Sequence, residues 1–282
     1  MRVLITGCNG MLGKDIEEIF NSKHNISGIN SNILDITDRG RTINYIKNSN
    51  PDIVIHTAAY TDVDRCEMDI ENAFKVNALG TRNIAIACNE INVPVVYISS
   101  DYVYDGYKST PYYEYDLTNP INVYGRSKLE GENFIKSICS KFFIVRTSWL
   151  YGQNGKNFIN SILKMAKDKN EISIVFDQVG SPTYTRDLAE SLLELISASD
   201  YGTYHITNED YCSWYDLARF VLLDYLKLKN IKLEPITSEQ LDRPAARPKN
   251  SRLEKFYLRL NGYTQLRSYK EAVVDYLRSF YL

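Results

Sequence analysis

Four short apolar, largely β-branched runs recur through the first half of the chain: "RVLIT" at 2–6, "DIVIHTAA" at 52–59, "VPVVYISS" at 93–100 and "FFIVRTS" at 142–148. Between them lie segments whose apolar residues return at helical spacing: "KDIEEIF" at 14–20, "ENAFKVNALGTRNIAIACNE" at 71–90 and "NVYGRSKLEGENFIKSI" at 122–138. The second of these puts Ala73, Val76, Leu79 or Gly80, Ile84 and Ala87 on one face, and the third has Pro120 near its first turn. A strand that is apolar on both sides must be covered on both sides. Buried strands alternating with helices therefore predict βαβ units, with a parallel sheet between two helical layers. "HNISGI" at 24–29 and "NILDIT" at 32–37 are expected to add two short strands.

The rhythm loosens after about residue 150. "EISIVF" at 171–176 and "GTYHIT" at 202–207 read as strands. "TRDLAESLLELIS" at 185–197, "SWYDLARFVLLDYL" at 213–226 and "SYKEAVVDYL" at 268–277 read as helices, and "QLDRPAARPKNSRL" at 240–253 as a basic, proline-rich loop. The expected fold is α/β: a Rossmann-type doubly wound parallel sheet in residues 1–150, with a smaller C-terminal α/β lobe in 151–282 closing over the carboxyl ends of the strands. The boundary is approximate, and segments are free to cross it. An apolar fraction of 44% with 24% charged residues is that of a soluble globular protein, and a net charge of −2 argues against nucleic-acid or membrane-surface partners. Five scattered cysteines without a CxxC pair predict reduced thiols, and three separated histidines make no metal motif. No apolar run reaches 18 residues and "MRVLITG" is too short for a signal segment, so a cytoplasmic enzyme is expected.

"TGCNGMLG" carries Gly7, Gly10 and Gly13 between the first strand and the first helix. Glycines there allow a tight turn and a close approach of backbone to a pyrophosphate, which rests on the helix N-terminus. A Walker loop is excluded, because Lys14 is not followed by Ser or Thr. At the end of the second strand Asn30 and Ser31 stand where an acid would select NADH or an arginine NADPH. Both cofactors stay open, with a lean to NADPH. Asp35, in the next short run, is placed to cap a helix or to meet adenine, with Ile36 packing on the ring. Ser99, Ser100 and Asp101 end the third strong strand, where open α/β sheets bind ligands. Tyr124 and Lys128 lie one helical turn apart on one face. A cation beside a phenol, together with an oxidised nicotinamide, lowers the phenol pKa from about 10. A serine hydroxyl, a tyrosine and a lysine in this order form an acid–base set for hydride transfer at a carbonyl.

The glycine loop, "HTAAYTDVD" (56–64), "VNALGTRNIA" (76–85), "SSDYVY" (99–104) and "YGRSK" (124–128) together resemble the extended short-chain dehydrogenase/reductases. The match continues through "RTSWLYG" (146–152), "DQVGSPTYTRDLA" (177–189) and "RPKNSRL" (247–253), nearly the whole chain. The resemblance implies an NADPH- or NADH-dependent reduction of the C4 ketone of dTDP-6-deoxy-L-lyxo-4-hexulose to dTDP-L-rhamnose, by a monomer or homodimer. It makes Tyr124 the proton donor, Lys128 its partner and ribose ligand, and Ser100 the hydroxyl that tunes the phenol. Gly10, Met11 and Leu12 would line the pyrophosphate, Asn30 the adenosine ribose, and Asp35 with Ile36 the adenine. Ala59, Tyr60, Thr61 and Ile98 would flank the dinucleotide. Ser100, Asp101 and Trp149 would contact the sugar, and Arg247, Asn250 and Ser251 the nucleotide diphosphate. Some members dimerise around Mg²⁺ held by glutamates, one just after the glycine loop. Asp15 stands there, and Mg²⁺ is possible but not expected. Dehydratases of this family pair Asp with Glu where Asp101 and Tyr102 stand, and epimerases place small residues there, so a simple reductase fits better. A non-catalytic NADP-binding subunit, like the regulatory subunit of methionine adenosyltransferase, would not need the complete set Ser100, Tyr124 and Lys128.

Overall fold

All four β-branched runs form strands in the computed structural model, which describes residues 1–281. They are β1 (Arg2–Thr6), β3 (Ile53–His56), β4 (Val95–Ser100) and β5 (Phe142–Thr147), with β2 (Asn25–Ile29) from "HNISGI". A sixth strand, Gly202–His205, joins them in one parallel sheet, ordered sixth–β5–β4–β3–β1–β2.

The two-residue period of a strand sorts side chains to opposite faces. Val3, Ile5, Ile53, Ile55, Val96, Ile98, Phe143 and Val145 share one core with Leu12 and Ile16 of helix Met11–Phe20 and Leu188 and Leu192 of helix Thr185–Leu195. The alternate residues Leu4, Val54, Val95, Tyr97 and Ile144 pack on the other face, against helices Arg39–Ser49, Thr81–Glu90 and Val123–Ile138. This is the expected doubly wound Rossmann-type sheet. After β1 the chain goes to β2 on one side and then crosses to β3 on the other. The carboxyl ends of β1 and β3 therefore bound the crevice in which such sheets take ligands.

Two local expectations fail. "NILDIT" is a series of turns rather than a strand. The Asn30 side chain accepts from Asn32 N–H (2.9 Å) and the Asp35 side chain from Thr37 N–H (2.9 Å). These local bonds give the backbone an alternative to a strand ladder. The helix expected over 71–90 is interrupted by a π-helical turn, Lys75–Gly80. The wider turn shifts the apolar face. Leu79 is 39% exposed, whereas Gly80 is buried against Ile36.

Beyond residue 150 a separate core gathers Tyr151, Ile159, Ile172, Leu217, Val221, Val273 and Tyr276. Its parallel strands are Glu171–Val175 and Lys232–Ile236. Segment 185–205 leaves this lobe: its helix covers the large sheet and its strand pairs with β5. Leu282, at the end of the expected second lobe, lies outside the described residues.

Candidate active site

Gly7 turns the chain with φ +76°, and a Cβ there would sit 2.7 Å from Ala58 N at the end of β3. At Gly13 a Cβ would meet Gly7 O at 2.4 Å, so the first helical turn lies directly on the loop. Gly10 is the helix N-cap; it has no side-chain cap, and no acidic residue occupies the first turn. Unsatisfied amides at a positive helix end suit a pyrophosphate. Met11 is half-buried, and the Leu12 side chain belongs to the core, leaving only its backbone for a ligand. Thr57 N–H donates to Thr6 O (3.1 Å) and the Thr57 hydroxyl to the same oxygen (2.7 Å), closing the crevice floor.

Asn30 is half-buried at the end of β2 and Ser31 is exposed beside it. Asp35 is exposed but caps its own turn; the following helix is capped by Asp38, which accepts from Arg41 N–H at 3.0 Å. Ile36 is 7% exposed and faces Gly80, a core position with little surface left for a ring. Ala59, Tyr60 and Thr61 run from the end of β3 along the crevice, the first two half-buried and the third exposed. Asn77 holds this loop: it accepts from Tyr60 N–H (2.7 Å) and donates to Tyr60 O (3.0 Å) and Ser127 Oγ (2.9 Å). Ser127 in turn donates to Tyr124 O (2.8 Å), so Asn77 braces loop and tyrosine helix together. Ile98 lies on β4 with 8% exposure.

The helix Val123–Ile138 starts sharply because Asn122 caps it, accepting from Gly125 N–H at 2.7 Å. That places Tyr124 in the first turn, beside the end of β4. Ser100 and Asp101 are buried there, and the Ser100 hydroxyl donates to Asp101 Oδ1 at 2.8 Å. Burial and the Asp101 carboxyl beside it push the Tyr124 phenol above its usual value, with the Ser100 hydroxyl offsetting part of this. The direction is opposite to the lowering expected from a neighbouring lysine. Lys128 is 2% exposed and lies over the Tyr97 ring, its Nζ 4.2 Å from the centroid. Burial draws its ammonium down to about 7 although Glu132 favours the cation. Burial thus favours the neutral form of each group, and a protonated phenol is the form that a proton donor needs. Asp101 is itself raised to about 7 by burial, against the pull of the Ser251 and Ser100 hydroxyls, and its Oδ2 has no partner.

Glu132, one turn beyond Lys128, anchors the helix. Its carboxylate receives a fork from Arg146 on β5 (2.8 and 2.6 Å) and the Ser99 hydroxyl at 2.6 Å. The spacing Tyr-x-x-x-Lys-x-x-x-Glu was available in the sequence as the signal for this residue. Asn77 had a weaker one, a polar residue on an otherwise apolar helix face.

Second-lobe residues close the site from above. Ser251 N–H donates to Val179 O (2.8 Å), setting Ser251 beside Gly180 and Asp101. Trp149 lies against Gly180 and is half-buried. Arg247 forks onto Asp64 (both 2.7 Å) and lies beside the Tyr102 phenol, so its charge is already paired. Asn250 is buried and fastens the distant loop at 108–110, donating to Lys108 O (2.5 Å) and Thr110 O (2.9 Å). Exposed Arg243, not singled out in the sequence, lies close to Arg247 and forms no ion pair among the described residues. The Tyr102 ring lies edge-on to Tyr124 at 5.8 Å, and burial and Asp101 push its phenol up. Asp15 is buried, with the Thr185 hydroxyl beside its carboxyl. No group of three or more His, Cys, Asp or Glu side chains able to hold a metal occurs among the described residues.

A family model described as the RmlD substrate binding domain matches residues 1–282. The chain belongs to this family. It is 36% identical over 265 residues to a dTDP-4-dehydrorhamnose reductase of Aggregatibacter actinomycetemcomitans, covering 90% of each chain. A crystal structure of a dTDP-4-dehydrorhamnose reductase from Bacillus anthracis in complex with NADP superposes with a TM-score of 0.95, at 41% identity over 99% of both chains. One from Clostridium acetobutylicum superposes at 0.97, with 40% identity over the full length of both. The family model covers both lobes, so the helix carrying Tyr124 and the loops around Ser251 are matched together.

Proposed function

We propose that this protein reduces the C4 ketone of dTDP-6-deoxy-L-lyxo-4-hexulose to dTDP-L-rhamnose with NADPH or NADH. The observation that carries this reading is the Ser100 hydroxyl beside the Tyr124 phenol at the end of β4, with buried Lys128 one turn further along the same helix, in a chain that also has an uncapped glycine-rich helix start and is about 40% identical to reductases of that name. A reduced nicotinamide dinucleotide supplies the hydride when bound.

The chain's own residues do the rest. The amides after Gly10 and the loop 59–61 hold the dinucleotide, with Asn30 near the adenosine ribose. Lys128 contacts the nicotinamide ribose, and the nearby anionic cofactor favours its charged form. Ser100 donates to the ketone oxygen, and Tyr124 gives its proton to that oxygen as negative charge develops on it. The phenolate left behind is stabilised by the Lys128 cation and recovers a proton from solvent. Trp149 covers the apolar face of the deoxyhexose. Exposed Arg243 and the paired Arg247 give the diphosphate a positive rim. In this reading residues 151–282, apart from the returning segment 185–205, form the substrate lobe.

The test is to incubate the protein with NADPH and a panel of dTDP-4-keto sugars, following cofactor oxidation and identifying the product by NMR. Turnover of the 6-deoxy-L-lyxo sugar to dTDP-L-rhamnose is expected. Turnover restricted to a different sugar, or none, would overturn the assignment.

A further inference from the structure

The chain contains two tryptophans, and the structure stacks them on each other. The rings of Trp149 and Trp214 are parallel within 7°, with centroids 3.5 Å apart. Trp149 has φ +48°, a left-handed conformation that a bulky residue adopts only when its surroundings impose it. They do so on several sides. The Ser148 hydroxyl donates to Ser181 O (2.7 Å), Thr183 N–H donates to Trp149 O (3.2 Å), and Leu150–Tyr151 pairs with Thr183–Tyr184. The edge of the indole lies on Gly180, where a Cβ would meet Trp149 Cε2 at 2.6 Å and Ser251 Oγ at 2.7 Å.

Trp214 is equally fixed. It follows the strand Cys212–Ser213, which pairs with Val179–Gly180, and it opens a helix secured by a Ser213–Asp216 capping box. Its indole N–H donates to buried Gln178 (3.2 Å), and Phe158 packs on it at 4.5 Å. One short strand pair thus carries the residue beneath Trp149 and leads into the ring that covers it.

We propose that Trp214 is a positioning residue for the sugar: it backs one face of Trp149 so that the opposite face is presented, in a fixed orientation, to the deoxyhexose. The inference rests on the sugar-contacting role proposed for Trp149. It makes Trp214 a determinant of sugar affinity that touches neither cofactor nor reacting atoms.

Two indoles in van der Waals contact couple their excited states, giving paired positive and negative bands in far-ultraviolet circular dichroism. The wild type should show this couplet and Trp214→Leu should lack it. Kinetically, Trp214→Leu should raise KM for the keto sugar about threefold to tenfold, the range of an aromatic pair contact. Trp214→Phe, which keeps a flat ring behind Trp149, should restore most of that loss. In both variants kcat and NADPH affinity should stay near wild type. An unchanged KM in Trp214→Leu, or a loss of NADPH affinity as large as the loss of sugar affinity, would overturn the proposal. If Trp214→Leu does not fold, Trp214→Met decides: it keeps bulk behind Trp149 but no flat ring, so KM for the sugar should rise as for leucine, and an unchanged KM refutes the role. A wild type without turnover would overturn the proposed function and this inference together. A turning-over wild type with indifferent Trp214 variants would overturn only the inference.

Discussion

At the residue scale, a buried amine and a half-buried phenol each oppose their own charged form. Tyr124→Phe keeps the ring but removes the proton, and loss of a positioned general acid costs about 10²–10⁴ in rate. Its kcat should fall by that much while NADPH affinity and melting temperature stay near wild type. Lys128 has a folded value of about 7 against 10.5 for the free side chain. Its cation is present below about 7 and lost above it, so NADPH affinity should weaken as pH rises through neutrality. Titration calorimetry across pH should show that slope in the wild type and not in Lys128→Met; a flat wild-type profile would show that the lysine keeps its charge. For stability the sign is reversed: this depressed value destabilises the fold most below about 7, with relief as pH rises toward 10.5. The Tyr124–Lys128 pair was legible because both residues lie on one helix turn. The engagement of Arg247 with Asp64 and of Asn250 with Lys108 and Thr110 was not, because those partners are more than a hundred residues away in the chain.

At the element scale, the tyrosine helix is held in place by the buried Glu132–Arg146 pair. Glu132 is drawn down to about 2 against burial by the Arg146 guanidinium, with help from Lys136 and Ser99. Its contribution is complete above its ordinary 4.5 and is lost as pH falls from there toward 2. Glu132→Gln leaves the Arg146 charge buried without its counterion, a change that costs about 3–5 kcal/mol. Denaturant unfolding at pH 7 should show a loss of that size, and the variant should lose the acid limb of the wild-type stability curve. A loss below about 1 kcal/mol would mean that solvent reaches the pair. The strands were readable because burial on both faces leaves unbroken apolar runs. The turns at 30–38 were not, since Leu34 and Ile36 are buried as strand residues would be, while side-chain bonds from Asn30 and Asp35 decide the backbone. The π turn at 75–80 escaped for a similar reason: one widened turn exchanges Leu79 for Gly80 in a pattern that fits either residue.

At the scale of the whole molecule, two separately cored units meet across the end of β4. In the proposed reading the first supplies the glycine loop and the acid–base pair, and the second supplies Ser251, the arginine rim and the core against which Trp149 packs. Neutral Asn30 and Ser31 at the end of β2 should leave kcat/KM for NADPH and NADH within about tenfold, since one discriminating polar contact is worth about 1–3 kcal/mol. A thousandfold preference would place the selecting contact elsewhere. The most direct measurement follows one atom through the molecule. Wild type and Tyr124→Phe are each incubated with dTDP-6-deoxy-L-lyxo-4-hexulose and NADPH deuterated at both C4 positions of the nicotinamide, and the sugar is examined by NMR. The expected result is deuterium at C4 of dTDP-L-rhamnose in the wild type, with its formation slowed about 10²–10⁴-fold in Tyr124→Phe. Deuterium absent from C4, or equal rates in the two proteins, would contradict it.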